Sequence, residues 1–140
     1  MNPQLLHIDL ENVVKSGIYD RDQITQIFIK SYVQIVKDWD LPDSKAERML
    51  DIDSQTWMYI KEGKWNGPLN EENLTRIGEI ASIYDALLSG LGGKAANRWA
   101  TKPSKLSMFN GRSPVDAMIQ EGRPMMERTQ RYTHGLLTGR

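Results

Sequence analysis

Asn97-Arg98-Trp99-Ala100-Thr101-Lys102-Pro103 and, after four intervening residues, Met108-Phe109-Asn110-Gly111-Arg112-Ser113-Pro114 read as a helix end, a tight turn and a new helix start. Pro103 stops the first helix, because its ring clashes with helix continuation and it has no N–H to donate. Asn110-Gly111 is a turn dipeptide. Ser113-Pro114 sets a capping hydroxyl at the N-cap and proline at the first helical position. Upstream the chain reads as one helical domain, downstream as a short basic appendage. Trp99 is expected to close the upstream core, and the turn to aim the later helices away from it.

Helical periodicity runs through the rest of the chain. Ile24, Ile27, Phe28, Ile35 and Trp39 share one helical face, which Ile29, Tyr32, Val33 and Val36 widen. Asp20 or Asp22 caps that helix, and Leu41-Pro42 ends it. Ser44 and Glu47 have the spacing of a capping box for a short second helix that reaches Leu50. Asp53 or Ser54 caps a third, closed at Gly63. Asn70-Glu71-Glu72-Asn73 opens a long helix to about Leu88, with Leu74, Ile77, Ile80, Ala81, Tyr84, Leu87 and Leu88 on one face. The glycines Gly90, Gly92 and Gly93 form a loop before a helix from Lys94 to Ala100. Pro114 to Gln120 turns Val115, Met118 and Ile119 inward. Arg123-Pro124 begins the last helix, whose apolar face is Met125, Met126, Thr129, Tyr132 and Leu136. No segment alternates like a strand. The segment from Met1 to Gly17 reads as either a short helix or an arm.

At 140 residues the chain holds one real core. It has no cysteine, which removes disulfides and thiolate metal sites and agrees with a cytoplasmic location. No apolar run approaches the roughly 20 residues that span a bilayer. Met1 to Asn12 lacks the basic start of a signal peptide. The net charge of zero hides a split. Met1 to Gly93 carries 9 basic against 15 acidic residues, and Lys94 to Arg140 carries 9 against 3. Such a split points to different partners for the two halves.

Catalytic patterns are lacking. The histidines, His7 and His134, lie at opposite ends of the chain, and there is no nucleophile motif, phosphate-cradling loop or His-x-x-x-His pair. The chain reads as non-enzymatic, with no cofactor and no metal. The second and third helices have helix-turn-helix spacing. In such a motif Ser54, Gln55, Thr56 and Tyr59 are placed to read base edges, and Lys45, Arg48, Lys61 and Lys64 to hold phosphates. The acidic balance of this half opposes phosphate binding, and the pair read only as core helices is the alternative. In the basic half, Met108, Met118, Met125 and Met126 offer soft apolar surface, and Arg112, Arg123, Arg128, Arg131 and Arg140 add positive charge. Together they suit a surface for an acidic or anion-binding partner.

These residues carry a resemblance. Asn97 to Pro103 followed by Phe109-Asn110-Gly111-Arg112-Ser113-Pro114-Val115-Asp116-Ala117-Met118 resembles the toxin-binding domain of Xre/MbcA/ParS-type antitoxins, with its Trp, Pro and Gly-Arg-(Ser/Thr)-Pro turn in this order. Gln55 to Lys64 and Leu69 to Leu88 are similar to that family's Xre-like helix-turn-helix part. Arg131 to Arg140 resembles its C-terminal helix and glycine-containing tail. The likeness covers about Gln23 to Arg140.

The resemblance implies an all-α fold: an N-terminal arm (1–22), a helix-turn-helix domain (23–93) and a small helical toxin-binding domain (94–140). It implies an antitoxin of a type II toxin–antitoxin pair. The toxin would have an ADP-ribosyltransferase-like fold, either a RES-domain enzyme that degrades NAD or a ParT-type transferase. Neutralisation would come from the C-terminal segment covering the toxin's active site. The expected toxin-facing residues are Arg112, Met125, Arg128, Arg131, Tyr132, Leu136 and Arg140. Arg140 and Arg131 would reach toward carboxylates there, with Tyr132 and Leu136 at the rim. Operator DNA would engage Lys45, Ser54, Gln55, Thr56, Tyr59, Lys61 and Lys64, and the chain would form homo-oligomers. An orphan helix-turn-helix regulator without a toxin partner is the alternative.

Overall fold

The computed structural model describes residues 10–137 and is all-helical, with 75% helix and no strand among the described residues. In order, the helices are α1 (Leu10–Lys15), α2 (Arg21–Asp38), α3 (Asp43–Leu50), α4 (Ser54–Lys61), α5 (Glu71–Leu91), α6 (Gly93–Thr101), α7 (Pro114–Glu121) and α8 (Arg123–Leu137). A single 3-10 turn at Ser107–Phe109 precedes α7. His7, the rest of the segment before Leu10, and Thr138 to Arg140 lie outside the described residues.

Local chemistry explains most of the boundaries. Asp20 caps α2 by accepting from the Gln23 N–H at 2.8 Å, while the Gln23 side chain accepts from the Asp20 N–H. Asp53 caps α4 through the Thr56 N–H, and Asn70 caps α5 through the Asn73 N–H. Two boundaries differ from expectation. Ser44 does not cap α3. Pro42 takes the N-cap position with an extended backbone and no side-chain cap, so Ser44 falls inside the helix. The glycine-rich loop after Leu88 is also absent: α5 continues through Gly90 to Leu91, and a single break at Gly92 starts α6. Gly92 has φ +80, a conformation that residues with a Cβ rarely adopt, so one residue is enough to redirect the chain.

Helix α5 is the axis of the packing. Ile77, Ile80, Ala81, Tyr84 and Leu87 are buried, as the 3-4 spacing predicts, but so are Ile83 and Ala86 on the opposite flank. Helices α2 and α3 cover one side of α5, and α6 and α8 cover another. Helix α2 contributes Phe28, Ile29, Tyr32, Ile35 and Val36, with Trp39 just beyond its end. Tyr32 is fully buried and donates its hydroxyl to the Ala46 carbonyl of α3 at 2.7 Å. Burial pushes its phenol well above the ordinary tyrosine range. The C-terminal carbonyls of α3 are received by α5: Asn73 Nδ2 donates to Leu50 O at 2.8 Å, and Arg76 Nη1 to Met49 O at 3.1 Å.

The turn before α7 is built as its residues dictate. Asn110 and Gly111 both have positive φ, 53 and 82, and the Arg112 N–H returns to the Phe109 carbonyl at 3.1 Å, closing a type I′ turn. Ser113 then caps α7 by accepting from the Asp116 N–H at 3.0 Å, with Pro114 at the start of the helix.

Beyond this turn the structure departs from the expected path. Helix α8 does not point away from the upstream part; it lies back along α5, with Met125, Met126, Thr129 and Thr133 buried between them. The reason is an ion pair as well as apolar surface, since Arg123 Nε donates to Glu79 Oε1 of α5 at 2.7 Å. Trp99 packs against the core from its edge rather than within it. Ala96 and Ala100 are the α6 residues that enter the core, which leaves Trp99 on the flank, half-buried and stacked on Tyr132 of α8. One continuous core contains both Leu10 and Met126 and crosses the position of Gly93 without a gap.

Ser113→Ala removes the α7 cap at a buried position and is expected to cost about 1 kcal/mol, read as a lowered midpoint in urea unfolding.

Candidate functional site

The first candidate surface is α3 and α4. The three residues Asp51 to Asp53 join them, and Asp51 adopts the left-handed conformation (φ 58) that closes α3. Trp57 anchors α4 beneath, edge-on to Tyr32 with ring centroids 5.7 Å apart. Its indole N–H donates to Asp43 Oδ1 at 2.9 Å, and Lys61 Nζ donates to the same oxygen at 3.0 Å. The bond from Trp57, then that from Lys61, holds the Asp43 carboxyl below the usual aspartate range. Asp53 is held low in the same way by its cap to Thr56.

The residues expected at DNA are divided by this arrangement. Gln55, Tyr59 and Lys64 are exposed. Ser54 donates its hydroxyl to Glu47 Oε1 at 2.8 Å, and Thr56 is half-buried. Two of the cations are already paired: Lys61 with Asp43, and Lys45 with Asp116 of α7 at 2.8 Å. Arg48 and Lys64 make no ion pair among the described residues. The outer face of α4 is Gln55, Met58, Tyr59 and Glu62, at helical spacing, and both Met58 and Tyr59 are 42% exposed. Met58 was not among the expected residues. Its place in that spacing was the available signal.

The second surface is built by the turn and α8. Arg112 folds back on its own turn: Nε donates to Phe109 O at 2.7 Å, Nη1 to Gln120 Oε1 at 3.1 Å, and Nη2 to Glu121. Glu121 also receives Arg128 Nη2 at 3.3 Å. Arg131 is exposed and makes no ion pair among the described residues. Tyr132 stacks nearly parallel to Trp99, 9° between planes and 5.9 Å between centroids, while Phe109 meets Trp99 edge-on at 5.8 Å. Leu136 is half-buried and shares the Tyr132 side of the helix. So Arg128, Arg131, Tyr132 and Leu136 occupy neighbouring flanks of α8, with Arg112 joined to them through Glu121. Met125 is different: it has no exposed surface and belongs to the core against α5. Arg140 lies outside the described residues.

Sequence reasoning missed Glu79 and the stacking role of Trp99. Glu79 is 9% exposed, and burial pushes its carboxyl above the ordinary glutamate range despite the Arg123 guanidinium beside it. Nothing in the local pattern distinguishes it from the exposed acids of α5, because its partner is 44 residues away. No group of His, Cys, Asp and Glu among the described residues is arranged to hold a metal ion, and no helix there is long and apolar enough to cross a membrane. No protein-family model matches the chain, and neither a curated protein nor a solved structure matches it.

The lowered carboxyl of Asp43 carries a sign. Its contribution to stability is present above its unfolded value of about 4 and is lost as pH falls through the lower folded value. Asp43→Asn is therefore expected to flatten the acid limb of the stability profile below about pH 4, measured as urea midpoints from pH 5 downward. A variant limb as steep as that of the parent would remove Asp43 from the account.

Proposed function

We propose that this chain is the antitoxin of a type II toxin–antitoxin pair. It neutralises a toxin with an ADP-ribosyltransferase-like fold, of RES or ParT type, by covering the active site with its C-terminal segment. What carries the reading is the junction from Asn97 to Met118, whose residues resemble the toxin-binding domain of Xre/MbcA/ParS-type antitoxins and whose turn, cap and Arg112 brace are joined by hydrogen bonds. Beside that unit stand Arg128, Arg131 and the Trp99–Tyr132 pair. The half from Lys94 to Arg140 has six more basic than acidic residues, which suits the catalytic and ribose-binding carboxylates of such an enzyme. Arginine also offers a planar fork for bidentate carboxylate contacts.

The test is co-expression with the neighbouring toxin gene at matched levels. Arg131→Glu, and separately deletion of Thr138 to Arg140, are expected to restore toxicity while helix content and unfolding midpoint stay unchanged. Reversing an exposed charge in the interface is expected to weaken toxin binding at least about tenfold. Full silencing by both variants would sink the C-terminal model.

In the same reading α3 and α4 contact operator DNA and repress the operon. Helix-turn-helix spacing supports this part, while Asp51, Asp53, Glu47 and Glu62 around the start and end of α4 weigh against it. The electrostatics give a quantitative expectation. With Arg48 and Lys64 as the cations outside ion pairs on this surface, each protomer neutralises about two phosphates, so log Kobs against log salt falls with a slope of about −2 per protomer. Breaking the Lys45–Asp116 and Lys61–Asp43 pairs would steepen it to about −4. A gel-shift series in salt on the upstream DNA reads the slope, and no salt dependence would remove phosphate contacts. The orphan-regulator alternative predicts the DNA result without any toxin partner.

A further inference from the structure

From Ala86 to Val115 the chain holds no aspartate or glutamate, while it holds Lys94, Arg98, Lys102, Lys105 and Arg112. Arg112 is spent on its own turn and on Glu121. The other four are exposed and make no ion pair among the described residues. Their arrangement follows from the packing of α6. Ala96 and Ala100 turn into the core, which sets Lys94 and Arg98 on the opposite side, about 6 Å apart along the axis. Lys102 continues the row at the C-cap, and Lys105 follows Pro103 and Ser104. Trp99 leaves the helix on the flank that meets Tyr132, so the row and the stacked rings occupy different sides of α6.

The acids that face the row are few. Arg98 and Lys102 line one hollow with Asp38 and Asp40 from the end of α2 and with Lys45 of α3. Lys45 is paired with Asp116, so those two charges cancel. Asp38 accepts from Tyr84 and from Gln34, and neither Asp38 nor Asp40 makes an ion pair among the described residues. Four cations against two acids leave this edge positive, and the hollow makes it continuous with the start of α3.

We infer that the α6 row binds the phosphate backbone of duplex DNA beside α3. The inference deepens the DNA part of the reading above and rests on it for the choice of duplex. In a helix-turn-helix the first helix, here α3, crosses the backbone, so phosphates pass at the edge that α6 extends. The α3–α4 surface itself is poor in free cations, and the row supplies about four more. Carboxylates could neutralise the row too, but protein partners are held mainly by buried aromatic and apolar anchors. Of the large exposed apolar side chains, only Leu91 lies between Ala86 and Val115. Phosphate contacts need no such anchor.

The measurement is fluorescence anisotropy of the full chain on the upstream duplex, an unrelated duplex of the same length, and polyglutamate of equal charge, from about 50 to about 200 mM salt. The variant carries Lys94→Gln, Arg98→Gln, Lys102→Gln and Lys105→Gln together. Its helix content and urea midpoint are expected to hold, since all four side chains are exposed and glutamine suits a helix about as well as lysine or arginine. On both duplexes its slope of log Kobs against log salt is expected to be shallower by about 3.6, so that the parent loses about 150-fold more affinity than the variant across that salt range. The preference between the two duplexes is expected to stay as it was, because phosphate contacts carry no sequence information. The parent is expected to hold either duplex at least about tenfold tighter than polyglutamate, whose extended chain has one charge per roughly 3.3 Å against one per roughly 1.7 Å of duplex. Equal slopes for parent and variant, no duplex binding by the parent, or polyglutamate bound as tightly as duplex would each overturn the inference, the last in favour of an acidic protein. A shallower slope on both duplexes without any preference for the upstream one would remove the operator reading and leave the row in place. A preference for the upstream duplex with the slope unchanged in the variant would do the reverse.

Discussion

The burial of α5 on nearly every flank is the constraint on which the rest of this molecule depends. A chain of 140 residues has one core, and here that core is wrapped around one helix rather than laid between layers. Ile77, Ile80 and Ile83 are fully buried along one side of the helix, and Ala86 is buried opposite Ile77. A helix covered on so many sides leaves little room for a charge among its buried residues. Glu79 breaks that rule, and its position is what makes the Arg123 pair matter. A carboxylate taken out of water is costly unless a partner and hydrogen bonds offset it. The partner comes from the first residue of α8, so the same contact that compensates Glu79 also sets where α8 begins its run along α5.

The α3–α4 pair is held to α5 by a different device. The last carbonyls of a helix need donors, and those of α3 receive them from Asn73 and Arg76 rather than from a following turn alone. Asn73 is itself the third residue of α5, held by the Asn70 cap. The angle between α3 and α5 is therefore tied to the position at which α5 starts. Tyr32, bonded to Ala46 O and packed against Trp57, fixes the opposite side of the pair. Both surfaces to which function is assigned are thus attached to α5 by hydrogen bonds or an ion pair as well as by packing.

Helix existence is legible in the sequence because it is local. The apolar spacing of α2, α5 and α7, the caps at Asp20, Asp53, Asn70 and Ser113, and the Asn110-Gly111 turn depend on neighbours within a few residues. The illegible part is long-range. Spacing alone assigns α5 one apolar face. Ile83 and Ala86 are buried because α6 and α8 return to cover the other, and no local window contains that information. Ser44 fails as a cap for a local reason: Pro42 competes for the position two residues earlier. The direction of α8 escapes a sequence reading because Arg123 looks like any surface arginine until Glu79 is placed beside it. Among the expected site residues, Met125 shows the same limit. It shares a helical face with Tyr132 and Leu136, and depth along that face separates a core methionine from a rim tyrosine.

The charge split between the halves is only partly spent inside the fold, and the remainder is placed unevenly. Arg123 reaches Glu79 and Glu127, Arg112 and Arg128 share Glu121, and Lys45 crosses in the other direction to Asp116. All three acids of the C-terminal half are consumed by these pairs. Lys94, Arg98, Lys102, Lys105 and Arg131 then have no ion pair among the described residues. Arg98 and Arg131 are exposed on α6 and α8, the two helices that carry the stacked Trp99 and Tyr132. Exposed pairs contribute little to stability, and unpaired like charges contribute less than nothing. This surplus of positive charge in the C-terminal half is therefore a cost to the free protein, of a kind that a partner rich in carboxylates removes on binding.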